Sequence, residues 1–147
     1  MQPPSAIHTW AAVISELNRA EAWGLSPTEQ QHYLHELQHY LPTESSPALI
    51  RRVCFNYHHD HRMVALLHDL GHPQHHTAWA DWTWTAIQML ARSGWHEGGQ
   101  LAQHIHDLTQ LTLRELLLSL PRFRFQSRLN TWAYAVVMRT AQRIERG

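Results

Sequence analysis

Apolar residues recur at helical spacing along nearly the whole chain, and Ser-Pro steps, glycines and prolines punctuate the runs. Ser5 is placed to cap a first helix whose stripe holds Ile7, Trp10, Ala11, Ile14, Leu17 and Trp23, and Gly24 ends it. Ser26-Pro27-Thr28-Glu29 is a capping box with proline at the first helical position. The helix it opens carries Tyr33, Leu34, Leu37 and Leu41 and stops at Pro42. Ser46-Pro47 opens another, with Leu49, Ile50, Val53 and Phe55. Asp60–Leu70 reads as a separate short helix, closed by Gly71 and Pro73. Trp79, Trp82, Thr83, Ala86 and Leu90 form the next stripe, which Gly94 ends. Residues 100–120 form a long helix with Leu101, Ile105, Leu108, Leu116 and Leu120, interrupted by Pro121, and a last helix runs from about Asn130 to the terminus. There is no convincing strand and no internal repeat. The expected fold is an all-α multi-helix bundle, with an N-terminal helical extension over 1–75 and a second helical domain over 76–147.

At 147 residues the chain is long enough for one domain with a real core plus a helical extension. No run is long and apolar enough to span a bilayer. The N-terminus, MQPPSAIHTW, has neither the basic start nor the apolar core of a secretory signal, so a cytoplasmic protein with no membrane partner is expected. Cys54 is the only cysteine, which excludes an internal disulfide and a thiolate metal cage. Formal charge is zero, but all twelve cations are arginine and their placement is uneven. From Pro121 onward there are six Arg (122, 124, 128, 139, 143, 146) against the single acid Glu145, a surplus of five. A basic block in a neutral chain points either to a polyanionic partner or to a solvated helix face.

Seven histidines lie between 58 and 76, with Asp60 and Asp69 among them. The stretch VALLHDLGHPQHH, residues 64–76, resembles the metal-binding core of the HD phosphohydrolases, in which His68 and Asp69 would be ligands. That arrangement also needs an earlier His and a later Asp. His39 and Asp107 are at plausible separations, but nothing in their surroundings supports them. Seven further His outside the cluster make a chance His-Asp pair common, so the stretch reads first as a helix end and turn, with no metal or other cofactor.

Residues 106–146, HDLTQLTLRELLLSLPRFRFQSRLNTWAYAVVMRTAQRIER, carry a longer pattern. Asp107-Leu108-Thr109-Gln110 leads into the apolar run Leu113–Leu120. Leu120-Pro121-Arg122-Phe123-Arg124 forms a turn, and Ser127-Arg128-Leu129-Asn130-Thr131-Trp132-Ala133-Tyr134 starts the last helix. In continuous register this resembles region 2 of bacterial RNA polymerase sigma factors of the sigma-70 type, most closely the extracytoplasmic-function group. It departs from that pattern at Ala135 and Met138, where cations are usual, and at Arg139, where Asn is usual. No −35-reading helix-turn-helix domain is expected within these residues.

The resemblance implies a non-enzymatic transcription initiation factor. Asp107, Gln110 and Arg114, spaced i, i+3, i+7, would dock on the β′ clamp helices of core polymerase, while Leu108, Leu116 and Leu117 are expected in the core. The turn Arg124, Phe125, Gln126, Ser127 and Arg128 would capture an unpaired base of the promoter −10 element by stacking, edge hydrogen bonds and phosphate contacts. Ser127 or Asn130 would cap the last helix, and Trp132 is expected mainly in the core. Arg139, Arg143 and Arg146 would track phosphates. Promoter DNA, core polymerase and an anti-sigma factor are the partners of this class. The sequence leaves two alternatives standing: the metal-dependent phosphohydrolase, and a protein-interaction domain that binds no DNA.

Overall fold

The computed structural model describes the backbone of residues 4–92 and 100–146, and the side chains of residues 8–90, 92 and 107–143. Among the described residues there are six α-helices and no strand: α1 Pro4–Ala20, α2 Pro27–Tyr40, α3 Pro47–His68, α4 His75–Arg92, α5 Gln100–Ser119 and α6 Leu129–Arg146. A single 3-10 turn, Leu120–Arg122, follows α5 at Pro121. The all-helical class matches the expectation. Gly94 and the side chains of Ile7, Leu101, Ile105 and Arg146 lie outside the described set.

Two compact units make up the chain. One holds residues 1–60 together with Arg124–Ser127; the other holds residues 61–123 and 128–147. The division between them falls within α3. α3 is itself one helix, not the two read from sequence. No Gly or Pro occurs between Pro47 and Gly71, and the polar run His58-His59-Asp60-His61 does not break an α-helix.

In the first unit α1 packs on α2. Trp10, Ile14, Leu37, Ile50, Val53 and Cys54 are fully enclosed. The expected stripe of α1 needs two changes: Val13 is buried and Ala11 exposed, and Trp23 lies past the helix end. α1 starts at Pro4, so Ser5 is inside it. The α1–α2 connection is tied by Asn18, whose Nδ2 donates to Leu25 O at 3.2 Å and whose Oδ1 accepts from Leu25 N at 2.8 Å. Gly24 sits there at φ +71°, the left-handed region glycine enters freely. The capping box forms as read: Glu29 N donates to Ser26 Oγ at 3.1 Å, and Ser26 N donates to Glu29 Oε1 at 3.0 Å. Just before Gly24, Trp23 stacks on His58 at 3.8 Å, and the Tyr33 hydroxyl lies 2.8 Å from His58 Nδ1.

In the second unit α4, α5 and α6 pack against one another. Leu90, Leu116, Leu120, Val137 and Ala141 are enclosed, with Leu108 close behind. The last turn of α3 also belongs here. Its carbonyls lack helical partners, and α4 supplies them: His75 Nδ1 donates to Leu66 O at 2.8 Å and Trp79 Nε1 donates to Leu67 O at 3.1 Å.

Candidate functional site

The histidine-rich stretch resolves into a helix ending. Asp69 Oδ1 accepts from Gly71 N at 3.0 Å, and His72 Nδ1 accepts from Gln74 N at 3.0 Å, so both side chains tighten the turn between α3 and α4. His75 is buried and spent on the carbonyl of Leu66. His68 is exposed on the last turn of α3. Among the described residues no group of three His, Cys, Asp or Glu side chains is close enough to hold a metal ion. His39 belongs to the first unit, whereas His68, Asp69 and Asp107 belong to the second.

α5 divides cleanly into two faces. Leu108, Thr109, Thr112 and Leu116 are buried, and Asp107, Gln110 and Arg114 are exposed. The exposed face is more apolar than the sequence suggested. Leu111 lies beside the polar triplet, and Leu117 and Leu118, 53% and 56% exposed, extend it by one turn. Leu117, expected in the core, is thus corrected to the surface. Leu116 fills the core position at that level, and its neighbour one residue on is rotated about 100° away.

A polar cleft of the second unit lies between α5 and α6. The cleft, of about 320 Å³, is lined by Glu115, Ser119, Arg122, Trp132, Arg139 and Arg143 among others. Three guanidinium groups face one carboxylate across it. Arg143 Nη2 lies 3.1 Å from Glu115 Oε1, and Arg139 Nε donates to Ala135 O at 3.4 Å. The Arg143–Glu115 pair is largely solvated, so an incoming anion meets little resistance in replacing the carboxylate. Trp132 is half-buried and packs its ring against Phe123 at 5.2 Å, which leaves part of the indole toward the cleft. Reading the sequence as linear motifs missed Arg122, Ser119 and Trp132 as members of one site. The available signal was the spacing Trp132, Arg139, Arg143 (i, i+7, i+11), which places the three on one helical face.

The turn Arg124–Ser127 belongs to the first unit. Phe125, read as an exposed stacking ring, is instead 2% exposed. It lies edge-on to Tyr40 at 5.0 Å and to Tyr57 at 5.2 Å, and its carbonyl accepts from Asn56 Nδ2 at 2.8 Å. The apolar ring is covered because α2 and α3 present two tyrosines to it, a long-range arrangement that no local pattern announces. Its backbone is left-handed, φ +59°, which costs a non-glycine residue about 1–2 kcal/mol. Arg124 and Gln126 on either side are exposed, and Arg124 Nη1 donates to His39 O at 3.4 Å. α6 starts at Leu129, so Asn130 sits inside the helix and Ser127 precedes it by two residues; neither is at the capping position. Arg128 and Asn130 are exposed, as is Tyr134 further along α6.

Comparison with protein-family models, with curated proteins and with solved structures gave no match. The fold and surface chemistry define an all-helical protein with a basic, tryptophan-lined cleft. No helix among the described residues is long and apolar enough to cross a membrane.

Proposed function

We propose that the chain is a sigma-like initiation factor that binds core RNA polymerase and the unpaired strand of the promoter −10 element. The observation that carries this reading is the α5–α6 cleft. Arg122, Arg139 and Arg143 line it together with Trp132 and the carboxylate of Glu115, and cations beside a ring are the combination that single-stranded nucleic acid uses. The residues of the cleft fall within the 106–146 register on which the sigma resemblance rests. In this reading phosphates sit on Arg139 and Arg143, and a base lies against the open part of the Trp132 ring. Tyr134 and Asn130 are further contacts on exposed positions of α6. Arg124 and Gln126 form a second contact patch on the turn of the other unit. Asp107, Gln110 and Arg114, with Leu111, Leu117 and Leu118, form the polymerase-docking face.

The test is fluorescence anisotropy with a short −10-like non-template oligonucleotide across a salt series, with and without core polymerase. Wild-type protein is expected to bind with a salt-dependent affinity that the Arg122→Ala, Arg139→Ala double variant loses in large part, with a salt slope lower by about two units. A folded wild-type protein that shows no salt-dependent binding even on core polymerase overturns the reading and leaves a protein-interaction domain in its place.

A further inference from the structure

Phe125 combines three properties that do not normally coincide: an aromatic side chain, a left-handed backbone and nearly complete burial. A strained conformation persists only where its surroundings over-determine it. Here they do. Tyr40 and Tyr57 enclose the ring, and Asn56, itself 4% exposed, holds the carbonyl at 2.8 Å. The outcome is directional. With the ring turned inward, Arg124 and Gln126 are both exposed, and Arg124 Nη1 donates to His39 O at 3.4 Å.

We infer that Phe125 is a positioning residue, docked on α2 and α3 so that Arg124 and Gln126 are presented outward in one fixed geometry to an unpaired nucleic-acid strand. The inference rests on the nucleic-acid reading above and assigns the helices before residue 61 a role in it: they form the seat of a recognition turn. Phe125 itself touches no ligand. A guanidinium and an amide on a pre-ordered turn bind a flexible strand without first losing the turn's own conformational freedom. Such a turn distinguishes an unpaired strand, whose Watson–Crick edges Gln126 can reach, from a duplex in which those edges are already paired.

The experiment compares wild-type full-length chain with Phe125→Ala, Phe125→Leu, Asn56→Ala and the Phe125→Ala, Asn56→Ala double variant. Anisotropy is read on an unpaired oligonucleotide and on the same sequence as duplex, with circular dichroism as the control for folding. Phe125→Ala and Asn56→Ala are each expected to weaken unpaired-strand binding at least about tenfold, because only the fraction of molecules with an ordered turn is competent. Duplex affinity and salt slope stay unchanged, and Phe125→Leu recovers most of the loss. The double variant is no weaker than either single one, since both cut the same tether. A side chain that served stability alone would not change the ratio of unpaired to duplex binding. A folded Phe125→Ala with an unchanged ratio, or additive losses in the double variant, overturns the inference. If Phe125→Ala does not fold, Asn56→Ala decides by the same ratio. Loss of the ratio effect while Arg139→Ala still weakens binding removes this inference alone. Absence of salt-dependent binding by wild-type protein removes it together with the nucleic-acid reading.

Discussion

Cys54 is fully enclosed in the first unit, and burial pushes its thiol up to about 12. Burial likewise raises the hydroxyls of Tyr57 and Tyr40, with Glu36 adding to the rise in both and Arg124 opposing it at Tyr40. All three groups are therefore folded in their neutral forms. In the unfolded chain they ionise near their ordinary values, 9.0 for the thiol and 10.0 for the phenols. The folded state holds these protons more tightly, so the stability they contribute is complete below pH 9 and declines as pH rises toward the folded-state values. Thermal midpoints measured across the alkaline range should fall from about pH 9 upward, and Cys54→Ala should flatten the first part of that fall. An alkylating reagent should label Cys54 only once the protein is unfolded. Labelling at full rate under native conditions would contradict its burial.

At the level of single helices, α5 carries a defect in its buried face. Thr112 is completely enclosed, and its hydroxyl has no hydrogen-bond partner among the described residues. Valine has the same shape without the polar group, so Thr112→Val should stabilise the protein by about 1 kcal/mol. A shift of the urea midpoint to higher concentration at unchanged slope would register it. A destabilised Thr112→Val variant would mean that the hydroxyl is satisfied after all. The same helix carries the opposite extreme on its outer face, where Leu111, Leu117 and Leu118 share one side with Asp107, Gln110 and Arg114. Leucines kept at the surface beside a polar triplet form a mixed face of the composition that partner helices bury.

For the molecule as a whole, that face is the one proposed above to dock on core polymerase. The Asp107→Ala, Gln110→Ala double variant should remain folded, since exposed substitutions usually cost within about 0.5 kcal/mol. It should also lose most of its retention on immobilised core polymerase. Undiminished retention by a folded double variant would remove this face from the proposal. The basic surplus after Pro121 is likewise a property of the whole chain. It is divided between the two units: Arg124 goes to the first, while Arg122, Arg128, Arg139, Arg143 and Arg146 go to the second.

Local patterns alone determined the helices and most of their ends. The apolar period of 3.6 residues, the Ser26 capping box, the Pro47 start and the break at Pro121 act within a few residues, so they are written in short stretches of sequence. The polar triplet on α5 was legible for the same reason, since helical spacing by itself puts Asp107, Gln110 and Arg114 on one side. Other features depended on residues far apart in the chain. The surroundings of α3's histidine run come from elsewhere in the chain, with Trp23 and Tyr33 on His58 in mid-helix and His75 and Trp79 on the carbonyls of its last turn. The grouping of Arg122 with Trp132 and Arg139 required α5 and α6 to pack. Phe125 is the clearest instance. Its neighbours in sequence, Arg124 and Gln126, suggest an exposed recognition turn, and they are indeed outside. The ring is inside because Tyr40, Asn56 and Tyr57, up to 85 residues away, surround it. Short-range sterics and hydrogen bonding set the helices, whereas the burial of any one side chain depends on which distant surfaces the tertiary fold brings against it.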